Sequence, residues 1–345
     1  MKDTEFWQSF SLAGMPYSKA RDFLEDLGPH VDRLNALRTW SRLSSDERSR
    51  MERLDQNRLK KATEVGVRAV DNAELPEKIL EVSQPPFCLF TWGDPTCLHN
   101  PTIAIVGTRK ASTYGRAVSR KFAEAFARSG VTVVSGGALG IDGEAHQGAI
   151  EANGVTAAVL GHGVDKVYPA SHTGLFKAIR DNGCLISQFP LGTPSLAHNF
   201  PQRNQIIAAL SDAVLVIEAP QKSGALTTVN AAAELGRPVF VVPGNISNPG
   251  FAGSHLLIRE GATFVDHPDQ ILDVLGVEPI APEQALGSMS DIQKRIMKAT
   301  ESEHRSMEEI IVLTGLDPGE LLAELTMLEM DGLIIKDGAR YGWKP

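Results

Sequence analysis

Cysteine is scarce in this sequence: Cys88, Cys97 and Cys184 are the three cysteines in 345 residues. An odd, dispersed set without metal-ligand spacing is typical of free thiols in a reducing compartment and argues against a disulfide framework or a structural zinc site. No run of 18 apolar residues occurs, and the first ten residues carry Asp3 and Glu5 instead of an apolar signal segment. We therefore expect a cytoplasmic protein with no membrane span and no metal or cofactor.

A strong positive charge is also missing. The formal net charge is −8, from 34 basic and 42 acidic residues, and residues 278–345 hold 13 of the acidic residues but only 7 of the basic ones. A strongly basic domain normally accompanies nonspecific duplex binding, so that class of function is disfavoured. The central part, residues 100–277, has 13 residues of each sign and can still carry a local basic groove.

The apolar pattern predicts an α/β fold between two smaller modules. Residues 1–70 show apolar positions at helical spacing and are predicted to form a separate all-α domain. Residues 71–276 alternate short apolar runs with helical patterns and glycines, which is typical of a mostly parallel sheet buried on both faces. A Pro/Ala/Gly/Ser linker is expected at 277–288, and residues 289–345 predict three helices and a hairpin, the pattern of a winged helix.

Two strand-to-helix corners carry the strongest functional signal. The first is Gly107, Thr108 and Arg109 after the apolar strand Ile103–Val106, and the second is the segment 222–224. Each combines a glycine, a hydroxyl, a cation and the amide-rich start of a helix, which suits phosphate groups. The helix N-terminus after the first corner is expected to add its positive end to that field. Ligands of such sheets lie beyond the carboxyl ends of the strands, so we expect a polyanion there.

A third segment, residues 182–211, contains no acidic residue and presents Asn199, Phe200, Arg203 and Asn204. An aromatic ring with Asn and Arg around it can stack on and read an unstacked base. Plainer interpretations stay open: a tight turn at Gly107, a core position for Phe200, and a carboxylate partner for Arg203.

Other signals are weak. Asp142 and His146, four residues apart on a predicted helix, make a poor metal site without a third ligand, and a helix-surface pair is the more economical interpretation. No nucleophile elbow accompanies His162, His172 or His198, and the glycine spacings match neither an ATP nor an NAD motif.

Five longer motifs, in order, resemble the DNA-processing protein A family, also called DprA or Smf. They are V-G-T-R-x-x-S-x-Y-G (106–115), S-G-G-A-x-G-I-D (135–142), A-H-x-G-A (145–149), N-F-P-x-R-N-x-I-I-A (199–208) and K-S-G-A-L-x-T (222–228). The resemblance implies an extended Rossmann-like domain that binds single-stranded DNA, protects it in natural transformation and loads the RecA recombinase onto it, without catalysis. It also implies a homodimer formed through this domain, and a helical module at the start of the chain that is similar to a sterile-alpha-motif or helix-hairpin-helix domain.

Residue roles follow from the same resemblance. Arg109 and Lys222 would hold backbone phosphates, Phe200 and Asn199 would lie near a base, and Arg203 would border the groove. The full set implied to bind single-stranded DNA is Gly107, Thr108, Arg109, Ser112, Arg116, Asn199, Phe200, Arg203, Asn204, Lys222, Ser223 and Gly224. Gln188 and His255 depart from the family pattern near the expected groove, and their roles are open.

Two competing functions remain. A Rossmann-like phosphoribohydrolase would also hold a nucleotide phosphate at glycine pairs, and Glu144 could supply the carboxylate that such an enzyme needs. A scaffold with empty corners would leave without a role two cationic stretches that lack acidic residues, 108–123 with five basic residues and 182–211. The presumptive recognition helix of the winged helix carries Asp317, Glu320, Glu324, Glu329 and Asp331 but no Lys or Arg. Because duplex phosphates would repel this helix, we expect a protein-contact module there.

Overall fold

The computed structural model describes residues 2–27, 31–71, 73–279, 290–301, 303–330 and 333–343. Up to Pro279 they form one compact unit, the main unit, and from Ser290 onward a second, the winged-helix unit. The helices of the main unit are α1 Lys2–Ala13, α2 Tyr17–Glu25, α3 Arg33–Thr39, α4 Ser45–Met51, α5 Gln56–Glu64, α6 Thr113–Arg128, α7 Ile141–Glu151, α8 Thr173–Asp181, α9 Asn199–Ala209, α10 Ala225–Glu234, α11 Ala252–Arg259 and α12 Asp269–Leu275.

A nine-stranded sheet forms the centre of the main unit, in the order β1-β2-β6-β5-β4-β3-β7-β8-β9. Its strands are β1 Val67–Asp71, β2 Cys88–Gly93, β3 Thr102–Val106, β4 Thr132–Ser135, β5 Thr156–Val159, β6 Gly183–Ser187, β7 Ala213–Val216, β8 Val239–Val241 and β9 Thr263–Phe264. Only β2 pairs antiparallel, with β1 and β6, and the other pairs described are parallel. The predicted mostly parallel α/β sheet is confirmed.

The order of the strands reverses between β3 and β7. From β3 the chain moves outward on one side through β4, β5 and β6, and it then crosses back to β7, β8 and β9. In register, Val106 at the end of β3 lies opposite Val216 at the end of β7. A crevice at such a switch point is where open α/β sheets bind ligands. Both predicted corners start there.

Helices cover both faces of this sheet, which explains why its central strands are mostly apolar and buried at every position. β3, β5, β6 and β7 are buried along their whole length. Phe122 and Phe126 of α6 pack on one face with Ile103 and Ile105. Val106, Val216 and Ile207 of α9 belong to the cluster on the other face.

The N-terminal helices are not separated from the sheet. Phe6, Trp7 and Phe10 of α1 share one buried cluster with Phe90 of β2 and Leu185 of β6. The buried Gln8 side chain fastens the contact, because its amide donates to the Leu191 carbonyl at 3.2 Å and its carbonyl accepts from the Leu191 N–H at 2.9 Å. The boundary expected near residue 70 therefore does not divide two cores. Whether each part folds alone stays a prediction.

The winged-helix unit has its own small core around Ile296, Ile310 and Leu325. Its helices are α13 Asp291–Thr300, α14 Met307–Thr314 and α15 Pro318–Met330, with the strands β10 Arg305–Ser306, β11 Ile334–Asp337 and β12 Arg340–Trp343. The hairpin turns at Asp337-Gly338, where Gly338 has a φ of +61°. The winged-helix prediction is confirmed; the predicted linker after Pro279, and Asp331, lie outside the described residues.

Among the described residues, no helix is both long and apolar enough to cross a membrane. Within the same residues, no three His, Cys, Asp or Glu side chains gather into a metal-type cluster.

Candidate functional site

A cleft of about 300 Å³ opens at the switch point between β3 and β7. We call it the switch-point cleft. Nine of the twelve predicted site residues line it, together with Asp142 and parts of α9 and α10. The nine are Gly107, Thr108, Arg109, Phe200, Arg203, Asn204, Lys222, Ser223 and Gly224. The two corners, more than a hundred residues apart in sequence, thus face the same space.

Gly107 is required by packing at the first corner. A Cβ there would lie 2.5 Å from Ile141 Cγ1 and 2.9 Å from the Glu218 carbonyl oxygen. The next amide is also engaged, since the Thr108 N–H donates to the same carbonyl at 2.8 Å. Packing therefore explains Gly107 without a ligand, and the group of this corner that faces solvent is the Arg109 side chain.

The N-terminus of α6 is already neutralised by the protein. The Glu218 carboxylate, in a residue 3% exposed, accepts from the Ser112 N–H at 2.9 Å and from the Ser112 hydroxyl at 2.7 Å. Ser112 Oγ in turn accepts from the Gly115 N–H and so caps the helix. A negative charge at this position is stabilised by the helix dipole. The positive end of this helix is therefore not free, Ser112 lies outside the cleft lining, and its contact with a ligand stays a prediction.

The second corner leaves more open space. Ser223 Oγ accepts from the Ala225 N–H at 3.2 Å, and Asn204 Nδ2 donates to the Gly224 carbonyl at 3.1 Å. Asn204 therefore holds α9 against the corner. A Cβ built on Gly224 would meet no protein atom within 4 Å, and its φ of −63° suits any residue. Protein packing therefore does not explain this glycine, and the space beside it is open to a ligand.

Phe200 lies in the cleft wall and is only half-buried. The Arg109 guanidinium lies 4.8 Å from the centre of its ring, and the Arg203 guanidinium lies 5.7 Å from it. Both distances are within the range of cation–π attraction. Phe200 is therefore not a plain core residue, and it positions the cation that faces solvent.

Arg203 is buried beneath the cleft, 4% exposed, and a Cβ at Gly136 would overlap its guanidinium. Its Nη1 donates to the Val159 carbonyl at 3.2 Å and lies 3.9 Å from Asp142 Oδ2, while its Nε has no partner within the described residues. Burial lowers the pKa of Arg203 to about 10, so it stays charged at neutral pH. The predicted carboxylate partner exists, but the contact is long and leaves part of the positive charge to the cleft.

Asp142 and His146 are both buried, which corrects the helix-surface pair predicted from their spacing. His146 Nδ1 donates to the Thr156 hydroxyl at 2.7 Å, because that hydroxyl itself donates to the Val133 carbonyl. Burial lowers the pKa of His146 to about 3, and the ring is neutral at physiological pH. Burial also raises the pKa of Asp142, against the opposing charge of Arg203.

The remaining predicted positions lie outside the cleft lining. Arg116 pairs with Glu144 at 3.2 Å, and Arg120 binds the same carboxylate at 2.6 Å. Asn199 is 3% exposed and donates to the Gly161 carbonyl at 2.9 Å. The expectation of an unopposed cationic helix was therefore wrong for Arg116 and Arg120.

Gln188 and His255, expected near the groove, do not line the cleft either. Gln188 Nε2 donates to Gln202 Oε1 at 3.4 Å, and His255 contacts the Gly244 carbonyl at 3.1 Å. Sequence reasoning missed Glu218, which follows a buried strand and gives no local sign that it will meet a helix N-terminus.

Unpaired positive charge thus remains at the mouth of the cleft. Arg109 and Lys222 are exposed, and neither forms an ion pair with any described residue. Glu144, the carboxylate proposed for an enzyme, is held by two arginines outside the lining. The arrangement can bind an anion through two cations on opposite walls.

Family models and relatives agree with this architecture. The model for DNA recombination-mediator protein A matches residues 67–276, and that for the DprA winged helix domain matches residues 281–337. Protein Smf of Escherichia coli is 40% identical over 274 residues, which is 76% of this chain and 73% of the relative. A putative DNA processing protein DprA of Mycobacterium tuberculosis is 39% identical over 67% of this chain and 61% of its own length.

Two solved structures are similar as well. DNA processing protein A of Streptococcus pneumoniae has a TM-score of 0.68 at 30% identity, covering 79% of this chain and 98% of that one. DNA processing protein A of Helicobacter pylori, whose structure describes a single-stranded DNA binding mode, has a TM-score of 0.56 at 27% identity, covering 61% and 95%.

Proposed function

Because the chain belongs to the DNA recombination-mediator protein A family, also called DprA or Smf, we propose that it binds single-stranded DNA in the switch-point cleft and delivers it to the RecA recombinase in natural transformation. The H. pylori relative's single-stranded DNA binding mode supports the choice of ligand. The observation that carries the proposal is the pair of unpaired cations, Arg109 and Lys222, on the two walls of the cleft.

The chemistry of the site favours a strand over a duplex. A strand can place its phosphates against Arg109 and Lys222 while its bases turn toward the aromatic side of the cleft. The negative net charge offers no broad field that would attract a duplex. We propose binding without catalysis, because Glu144, the acid that a phosphoribohydrolase would need, is held in ion pairs outside the cleft.

The wider assembly is proposed on the resemblance alone: a cytoplasmic homodimer formed through the main unit, with RecA as partner. For the winged-helix unit we propose contact with protein rather than duplex DNA. Glu320 and Glu329 are exposed on α15, and Glu324 accepts a hydrogen bond from Gln293 at 2.9 Å. Such a helix would be repelled in a major groove.

The test is fluorescence anisotropy of a labelled oligothymidine and a matched duplex at physiological salt, with wild type beside Arg109→Glu and Lys222→Glu. Each variant removes a charge-assisted contact, and we expect single-strand affinity to fall about 10- to 150-fold. Lys121→Glu is the matched control, since Lys121 is exposed on α6, forms no ion pair with a described residue, and does not line the cleft. Equal affinity in all three variants would contradict the assignment.

A further inference from the structure

The face of Phe200 that a base would use is already covered. Arg109 is exposed and lies 4.8 Å from the ring centre, whereas Arg203, the second cation near the ring, is buried. The solvent side of the ring is therefore occupied by a guanidinium group. The face of the planar Arg109 guanidinium can stack on one base while its N–H edge holds the phosphate, but a further base needs another surface.

Tyr168 offers that surface. Its ring centre lies 6.3 Å from that of Phe200, and the residue is 47% exposed. His162, which is buried, supports the ring edge-on at 6.4 Å between ring centres. Tyr168 lies outside the cleft lining, but its contact with Phe200 and its position after β5 place the ring beside the cleft at the carboxyl edge of the sheet.

The hydroxyl of Tyr168 has no hydrogen bond to any described residue, which distinguishes it from Tyr114. Tyr114 is 49% exposed, but its hydroxyl donates to the Pro243 carbonyl at 3.1 Å, and its ring packs 5.9 Å from that of Phe251. Both rings have aromatic neighbours, but only the Tyr114 hydroxyl is used within the described part of the chain, and that of Tyr168 is left for a ligand.

The charges around Tyr168 suit an anionic chain. Lys166 and Arg109 form no ion pair with a described residue. The neighbouring acid, Asp165, is engaged, since it pairs with Arg58 at 3.3 Å and accepts from the Gly192 N–H at 2.8 Å. A phosphate beside the ring would therefore meet cations whose charge is not neutralised.

We propose that Tyr168 is a second stacking platform of the cleft, which holds the nucleobase next to the one at Arg109, so that the strand runs from Lys222 past Phe200 toward the carboxyl end of β5. The inference rests on the proposed single-stranded DNA binding. It adds the path of the strand across the surface and one further contact residue. Two strand spacings, about 10 Å, separate the ends of β3 and β5, so adjacent nucleotides can reach both platforms.

The test compares Tyr168→Leu, which removes the ring but keeps an apolar side chain, with Tyr168→Phe, which keeps the ring. Oligothymidine anisotropy on the full chain should show about 5- to 150-fold weaker binding for the leucine variant and a change of less than about twofold for the phenylalanine variant. Val167 lies on the same loop and is 43% exposed, so Val167→Ala controls for the loss of apolar surface. Unchanged affinity in Tyr168→Leu, with Arg109→Glu still defective, overturns the inference and leaves the proposed function intact.

A second measurement uses the wild-type chain, so it decides the matter even if Tyr168→Leu fails to fold. An oligonucleotide carrying 5-iodouracil is irradiated in the complex, and the crosslinked peptide is identified by mass spectrometry. A crosslink at Tyr168 is the expected result, and crosslinks confined to other residues overturn the inference. If wild type binds no single strand at all, the proposed function fails together with this inference.

Discussion

Single residues decide which parts of the two corners can meet a ligand. The sequence shows a glycine, a hydroxyl and a cation after each strand, and both groups line one cleft. The sequence does not show which backbone amides stay free to bind a ligand. That depends on Glu218, whose carbonyl accepts a hydrogen bond from the Thr108 N–H. Gly107 is explained by packing and Gly224 is not, a difference that only three-dimensional contacts reveal.

We predict that Gly224→Ala weakens single-strand binding and leaves the melting temperature within a few degrees of wild type. The added methyl group meets no protein atom within 4 Å, so it costs the fold little, but it occupies the space beside Lys222 that a phosphate would approach. The measurement is anisotropy beside thermal unfolding monitored by circular dichroism.

Gly136→Ala is the contrasting variant at the residue scale. Its Cβ would overlap the buried Arg203 guanidinium, so we expect a clear loss of thermal stability. If Gly224→Ala also unfolds early, or if it binds oligothymidine as wild type does, the ligand-approach explanation of that glycine is wrong.

At the scale of elements, α6 shows why its sequence predicts more free positive charge than the fold leaves. The segment 108–123 has five cations and no acid, which predicted a free positive helix terminus. In the fold, Glu218 from the end of β7 supplies the missing acid, and Glu144 from α7 pairs with Arg116 and Arg120. Charge patterns along one element cannot show such partners, because they come from strands and helices distant in sequence.

We predict that Glu218→Gln destabilises the main unit without abolishing single-strand binding. The amide removes the charge that meets the α6 dipole and weakens the two hydrogen bonds from Ser112, a loss of about 1–3 kcal/mol. Urea unfolding of wild type and variant measures the difference in free energy. Ser112→Ala should also lower the free energy of unfolding. Because both substitutions act through one contact, the double variant should lose less than the sum of the two single losses.

The opposite result would change the view of this helix end. If Glu218→Gln keeps its stability and binds oligothymidine more tightly, then the carboxylate restrains the site electrostatically, and the α6 terminus is a latent phosphate position. If stability falls and affinity is unchanged, Glu218 serves the fold, as the buried contacts indicate.

For the whole molecule, the order of modules was predictable from composition and spacing, but their independence was not. The helical start and the sheet share Phe6, Phe10 and Phe90 in one cluster, a long-range contact that amphipathic spacing cannot reveal. The winged-helix unit, by contrast, buries its own core. The two ends of the chain should therefore respond differently to removal.

We predict that a chain ending at Pro279 folds and binds oligothymidine as the full chain does, whereas a chain starting at Val67 aggregates or unfolds. The second truncation exposes Phe90 and Leu185, buried beneath α1, and removes the Gln8 clamp on Leu191. Gel filtration, thermal unfolding and anisotropy of both truncated chains measure this.

A well-folded chain from Val67 would restore the boundary expected at residue 70. Loss of single-strand affinity in the chain ending at Pro279 would instead assign part of the DNA contact to the winged helix. If the full chain binds a duplex and the chain ending at Pro279 does not, the winged-helix unit recognises DNA and the proposed protein contact is wrong.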